Sequence, residues 1–242
     1  MHKKVLRDMD SLCAEAAYDF VQIISSAVDA RGEAHIFLAG GNTPRHFYKL
    51  LASPPIGNSI PWGKVHIYFG DERNVPPDDP DSNYNMANRA LLSRINIDPL
   101  RIHRIPAELT ADEAALAYNN KLKHFLPFDS NENPCPDLVL LGLGEDGHVA
   151  SLFPDTDILN NHADFAAAVW VEKLRTWRIT ITYRVINNAS NVWLFVSGES
   201  KRDIVDRVFN YSTSERYPVE RIKPRGKLTW FLDEAAAQRI VK

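Results

Sequence analysis

Between Asp137 and Pro154 the chain reads DLVLLGLGEDGHVASLFP, and this stretch restricts the possible folds more than any other. Residues 138–141 are a short, wholly apolar run, the pattern of a strand buried on both faces of a parallel sheet. The run empties into a glycine-rich turn carrying Glu145, Asp146 and His148. Open α/β sheets bind their ligands in the crevice at the carboxyl ends of the strands. Two carboxylates and an imidazole at such an end therefore mark a candidate active site.

The rest of the chain repeats the alternation that such a sheet needs. Apolar residues at helical spacing (Leu12, Ala16, Phe20, Ile23, Ile24, Ala27) predict a helix over 8–29 that ends near Gly32. Residues 35–39 read as a strand, followed by Gly40, Gly41, Asn42, Thr43 and Pro44. Here Thr43 is placed as the N-cap and Pro44 as the first helical residue. The glycines admit a ligand close to the backbone, and free N–H groups at a helix start suit a phosphate.

A strand over 65–69 ends in Gly70, Asp71, Glu72 and Arg73, a solvated loop or a second wall of the site. Ser82 caps a further helix, 101–105 reads as a short strand, and Thr110 with Glu113 forms the capping box of a helix over 110–125. Strands are predicted over 166–171, 178–183, 191–196 and 228–232, with Lys201 at a strand-to-helix junction and a last helix at the end. With no repeat or linker in 242 residues, this order predicts one α/β domain over residues 1–242. Its core is a doubly wound, mostly parallel sheet with helices on both faces.

Composition narrows the function classes. Hydrophobic residues at 45% and charged residues at 24% are ordinary globular values, which excludes disordered, fibrous and membrane classes. A net charge of -3 argues against a nucleic-acid partner, so any anion site is local. Cys13 and Cys135 lack metal or disulfide spacing and fit free thiols. The opening MHKKVLRDMDSL has no long apolar run, and the chain reads as a mature cytoplasmic protein.

Several chemistries fit the opening stretch poorly. Gly142 to Gly147 matches a dinucleotide fingerprint, but Glu145 and Asp146 put negative charge where a pyrophosphate needs N–H donors, and Pro154 cuts short any following helix. Ser151 lacks the flanking glycines of a nucleophile elbow and reads as structural. The remaining histidines form no zinc motif, so no metal is indicated. What is left is His148 as a general base oriented by Asp146, or a structural histidine with a carboxylate partner.

Five separated blocks then carry a resemblance: LAGGNTPRHFYKLL, VHIYFGDERNVPPDDPDSNYNMANRALL, the opening stretch, RITITYRVINNASNVWLFVSGESK and GKLTWFLDEAAA. Together they resemble the glucosamine-6-phosphate isomerase/6-phosphogluconolactonase family over nearly the whole chain. The resemblance implies a three-layer, Rossmann-like fold without a dinucleotide and no metal or cofactor. In the lactonase branch it implies hydrolysis of 6-phospho-D-glucono-1,5-lactone to 6-phosphogluconate, a step of the oxidative pentose phosphate pathway. Carried over by position, His148 is the base and Asp146 its assistant, Gly40, Gly41, Asn42 and Thr43 are the phosphate cradle, and Arg73 and Lys201 hold the phosphate. Asp71 and Arg178 fall in matching blocks without a role. The partner implied is a small sugar-phosphate lactone, with no membrane or nucleic acid, acting on a monomer or a homodimer.

The isomerase-deaminase branch reads DEY where this chain has Asp71, Glu72 and Arg73, and carries a glutamate five residues after the histidine, where this chain has Phe153. Loss of that carboxylate removes a member of the ring-opening relay, while an arginine adds anion affinity, so the lactonase branch is favoured. A sugar-phosphate binder without catalysis would keep the cradle and the cations but would not need His148.

Overall fold

The apolar runs pair as parallel strands, because strands buried on both faces have no polar face to offer solvent. The computed structural model describes residues 2–211 and 217–240. In chain order the elements are β1 (His2–Leu6), α1 (Met9–Arg31), β2 (Ala34–Leu38), α2 (Asn42–Leu51), α3 (Ile56–Ser59), β3 (Val65–Phe69), β4 (Asp71–Arg73) and α4 (Asn83–Ala90). There follow β5 (Ile102–His103), α5 (Ala111–Phe125), β6 (Leu138–Gly142), β7 (Ala166–Val171), β8 (Thr176–Ile181), α6 (Tyr183–Ile186), β9 (Asn191–Val196), α7 (Arg202–Asn210), β10 (Lys227–Asp233) and α8 (Glu234–Ala237).

Seven strands form one sheet in the order β1-β10-β9-β6-β2-β3-β5, with every neighbouring pair parallel. With its helices it gives the three-layer, Rossmann-like α/β architecture that the resemblance implies. From β2 the chain steps outward through β3 to β5, then returns to place β6 on the other side of β2 and steps outward again through β9 to β10. The strand order thus reverses between β2 and β6, and the crevice outside their carboxyl ends is where such sheets bind ligands.

Local chemistry explains the helix that covers this sheet first. The Asp8 side chain accepts the Ser11 N–H at 2.8 Å, and Gly32, at φ +82°, closes the far end of α1 through its N–H to Val28 O. Leu12, Ala16, Phe20, Ile24 and Ala27 form its buried stripe. Phe20 meets Phe47 of α2 edge to face at 5.8 Å, and Phe47 meets Phe195 of β9 at 5.0 Å. This aromatic chain locks α1 and α2 to the sheet; burying each ring contributes about 2–3 kcal/mol.

The structure departs from the sequence reading at three places. Residues His2–Leu6 carry no strand pattern, being largely polar, yet form an edge strand because β10 offers an unpaired parallel partner. The expected strand over 101–105 shrinks to β5. Strands 166–171 and 178–183 do form, the second two residues earlier, but they leave the parallel sheet. β7 and β8 join β4 in a separate antiparallel sheet, order β4-β8-β7. The physical reason is a solvated face: Trp170 and Trp177 are exposed on β7 and β8, whereas β2 is buried throughout.

Glu72 pins this small sheet to α4. It is 2% exposed, and its carboxylate accepts the N–H groups of Asn83 (2.7 Å), Arg73 (2.8 Å) and Tyr84 (2.8 Å) and the Ser82 hydroxyl (3.0 Å). Burial pushes the carboxyl above its ordinary value while the four donors oppose that shift. Replacement by alanine strands buried donors at the start of α4. Glu72→Ala is expected to lower unfolding free energy by about 3 kcal/mol, read from urea unfolding midpoints at constant m-value; a change within about 0.5 kcal/mol would refute the anchoring role.

Candidate active site

The cleft sits at the reversal of strand order, with a volume of about 540 Å³. On its β2 side the chain turns through Gly40 and Gly41 into α2. The helix begins at Asn42, two residues earlier than the sequence indicated, with Gly41 rather than Thr43 at the N-cap. Gly41 sits at φ +103°, ψ 174°, a conformation an L-residue resists, and that freedom moves the start forward. No side chain caps this end. The backbone N–H groups of Asn42 and Thr43, at the positive end of the helix, thus stand in the wall of the cleft.

Gly40 is a close-approach position. A Cβ there would lie 2.1 Å from Asn83 Oδ1. The Asn83 amide donates to the Asp71 carbonyl (2.9 Å) and to Asp71 Oδ1 (3.1 Å), and Asp71 Oδ2 accepts the Ser151 hydroxyl at 2.7 Å. Asp71 therefore joins the start of α4, the phosphate-type turn and the loop after His148. Ser151 is 1% exposed, and its hydroxyl is engaged by Asp71.

On the β6 side no helix follows the strand. The turn is closed by Gly144 N–H to His148 O (2.9 Å) and Gly147 N–H to Gly144 O (3.0 Å). His148 Nδ1 lies 2.5 Å from Asp146 Oδ1, and Asp146 also accepts the His148 backbone N–H at 3.2 Å. Asp146 being an acceptor, it fixes the proton on Nδ1 and leaves Nε2 with its lone pair. The bonds from His148 and from the Lys173 ammonium hold the Asp146 carboxyl well below the usual carboxylate range, against the opposing effect of burial. The Phe153 ring stacks on the imidazole, centroids 4.1 Å apart and planes at 28°.

The cations come from three directions. Antiparallel pairing of β4 with β8 sets Arg73 opposite Arg178, and the Nε atoms of both are buried with no hydrogen-bond partner. Burial and the neighbouring Arg73 charge push the Arg178 guanidinium below its ordinary value. Two like charges with unpaired donors in one wall create a strong demand for an anion. Lys201 ends a short 3-10 turn after β9 and approaches Glu145 at 3.9 Å.

Gly40, Gly41, Asn42, Thr43, Arg73, His148 and Lys201 all line this one cleft, together with Asp71, Ser151 and Arg178. Asp146 stands behind His148 and outside the lining. Lys173, which grips Asp146 and lies 4.7 Å from the Phe153 ring centroid, had no sequence signal. It arrives from the turn between β7 and β8, whose approach to the cleft depends on the separate small sheet.

A family model described as glucosamine-6-phosphate isomerases/6-phosphogluconolactonase matches residues 7–230. The chain belongs to this family. Members similar to it include a 6-phosphogluconolactonase of Synechocystis, 39% identical over 90% of this chain and 89% of that protein, and one of Nostoc, 38% identical over 98% and 97%. Among solved structures, the 6-phosphogluconolactonase from Trypanosoma brucei superposes with a TM-score of 0.87 at 26% identity, covering 99% of this chain and 98% of that one. A monomeric glucosamine-6-phosphate deaminase shares the fold at a TM-score of 0.83 and 19% identity.

Gly144 is the family turn's steric keystone in this chain. A Cβ there would lie 2.0 Å from His148 Nδ1 and 2.6 Å from Asp146 Oδ1. Gly144→Ala is expected to eject the imidazole while costing only about 1–3 kcal/mol of stability. Ring 15N spectra should then change from a single Nδ1–H tautomer to a mixture; an unchanged tautomer would contradict the assignment.

Proposed function

We propose that this chain hydrolyses 6-phospho-D-glucono-1,5-lactone to 6-phosphogluconate, with His148 as general base, as one catalytic unit in the cytosol. The observation that carries this reading is the meeting in one cleft of an oriented imidazole with two arginines whose Nε atoms lack partners. The lactonase names of relatives at 38–39% identity support the same reaction. None of the described helices is long and apolar enough to cross a membrane.

In the proposed reaction the lactone's phosphate is held by the N–H groups at the start of α2 and by Arg73, Arg178 and Lys201. His148 Nε2 takes a proton from water as the water oxygen attacks the C1 carbonyl carbon, whose π electrons move to the carbonyl oxygen. Their return breaks the bond from C1 to the ring oxygen, and the imidazolium gives its proton to that leaving oxygen. Asp146 stabilises the imidazolium formed between the two steps. The lactone is already activated, so no covalent enzyme intermediate is needed.

Phe153 separates this reading from the deaminase one. The position where the isomerase-deaminase branch has a glutamate is occupied by an aromatic ring packed on His148, so no carboxylate is present there to serve ring opening.

Three outcomes test the proposal in a dehydrogenase-coupled assay corrected for spontaneous hydrolysis. His148→Ala should lower kcat by about 10²–10⁴ with a folded circular dichroism spectrum; an unchanged kcat would remove His148 as the base, and binding without turnover in wild type would leave the non-catalytic binder. Arg73→Ala and Arg178→Ala should raise KM more than they lower kcat, since a remote phosphate is bound alike in ground and transition states. A pure kcat loss in both would contradict the phosphate assignment. The pH profile of kcat/KM should show no carboxylate limb above pH 4, because the bonds from His148 and Lys173 keep Asp146 ionised there. A carboxylate limb above pH 4 would overturn the role given to Asp146.

A further inference from the structure

Glu33, His35 and His66 meet at the amino-terminal ends of β2 and β3, the end of the sheet away from the cleft. His35 and His66 are paired directly in the parallel register, and their rings stack at 4.7 Å with planes 10° apart. Their hydrogen bonds determine where the ring protons lie. The Tyr68 hydroxyl spends its only proton on the Phe125 carbonyl (2.9 Å), so toward His35 Nδ1 (3.1 Å) it accepts. His66 Nε2 accepts from the Arg101 guanidinium (2.5 Å), which leaves its Nδ1–H to donate to His103 Nε2 (2.9 Å). In this arrangement both rings carry their proton on Nδ1 and turn Nε2 toward Glu33, with that of His66 accepting from Arg101.

The Glu33 carboxylate faces both lone pairs, 3.0 Å from His35 Nε2 and 3.4 Å from His66 Nε2. Three atoms of metal-ligating type thus meet at one point, with the Arg101 guanidinium bonded to His66 Nε2 and 3.7 Å from Glu33 Oε2. We propose that Glu33, His35 and His66 bind a divalent first-row transition-metal ion of the zinc type. The ligand set, two imidazole nitrogens and one carboxylate oxygen, suits that class. Tyr68 and His103 receive the outer Nδ1–H groups, the partners that fix the tautomer of metal-binding histidines.

The ligand atoms lie within 4.8 Å of one another. A tetrahedral ion with bonds of about 2.0–2.1 Å spaces its ligands about 3.4 Å apart, so the site must close by up to about 1.4 Å. Glu33 oxygens already stand 3.0 and 3.4 Å from the two Nε2 atoms, so the closure falls to the stacked rings, while the Glu33 side chain, 43% exposed, marks the route of entry. Arg101 is the built-in competitor. Its Nη1 stands 2.5 Å from His66 Nε2 and 3.7 Å from Glu33 Oε2, where the ion would sit, and has to swing out. The bound ion would clamp β2 to β3 and would take no part in the chemistry of the cleft.

The full chain, stripped with a chelator, is titrated with Zn2+ by calorimetry and with Co2+ by visible absorption. One equivalent is expected to bind, with the d–d absorption of a four-coordinate site and a higher thermal midpoint. Glu33→Gln and His66→Gln should each weaken binding by about 10- to 100-fold or more, with lactone hydrolysis unchanged. Arg101→Met, which removes the competing cation, should tighten it about tenfold. Glu33 is surface-placed, so Glu33→Gln keeps the test open where a buried histidine variant fails to fold. No binding in wild type, or binding that survives Glu33→Gln undiminished and is unaffected by Arg101→Met, would overturn the proposal and assign any uptake to the His148 region.

Discussion

The parallel pairing of β2 with β6 is the constraint from which the rest of the molecule follows. These strands are adjacent in space but far apart in sequence, and the chain leaves them in opposite directions. Their carboxyl ends therefore diverge, and no crossover covers the gap. Backbone groups at those ends cannot be satisfied by a neighbouring strand, so they turn into loops that carry polar chemistry. One loop becomes a helix start with donors to spare, the other a turn that presents an imidazole. Neither loop would form a site without the other, and their separation is set by one strand-to-strand distance.

The second wall of the cleft is an electrostatic problem solved by packing. Pairing β4 with β8 places Arg73 opposite Arg178, which is unfavourable in a partly buried wall. Glu72 and Asp71, on the same short strand, hold it in place through bonds to the start of α4 and to Ser151. Charge is thus concentrated where an anion is to arrive, while the carboxylates nearby are engaged by backbone and amide donors. The small antiparallel sheet exists to carry this wall. It also delivers Lys173 to Asp146, so one small sheet serves both walls of the cleft.

Much of this was legible in one dimension. Residues 138–141 read as a doubly buried strand because their apolarity is continuous, and α1 and α5 were legible because 3.6-residue periodicity and caps at Asp8, Gly32 and Thr110 are local. His148 with Asp146, the glycine turn at 40–43, Arg73 and Lys201 stood out because their residue types are unusual at strand ends. The misplaced cap at Thr43 shows the limit of local rules: threonine is the better capping side chain, but Gly41 alone reaches the backbone angles that the turn requires. Lys173 and Arg178 had no readable role, since an arginine in a strand and a lysine in a turn are ordinary until their neighbours are known.

The amino-acid sequence by itself determined the layer architecture, the turn that carries His148 and Asp146, and the branch of the family, through Phe153 in place of a carboxylate. Only the tertiary structure decided that β7 and β8 form a separate sheet, that two arginines face each other, and that Glu33, His35 and His66 share one point. Periodicity and capping act between residues a few positions apart and leave a mark in sequence order. Register between strands acts between residues tens to more than a hundred positions apart, and nothing in the order of residues records which of them will meet.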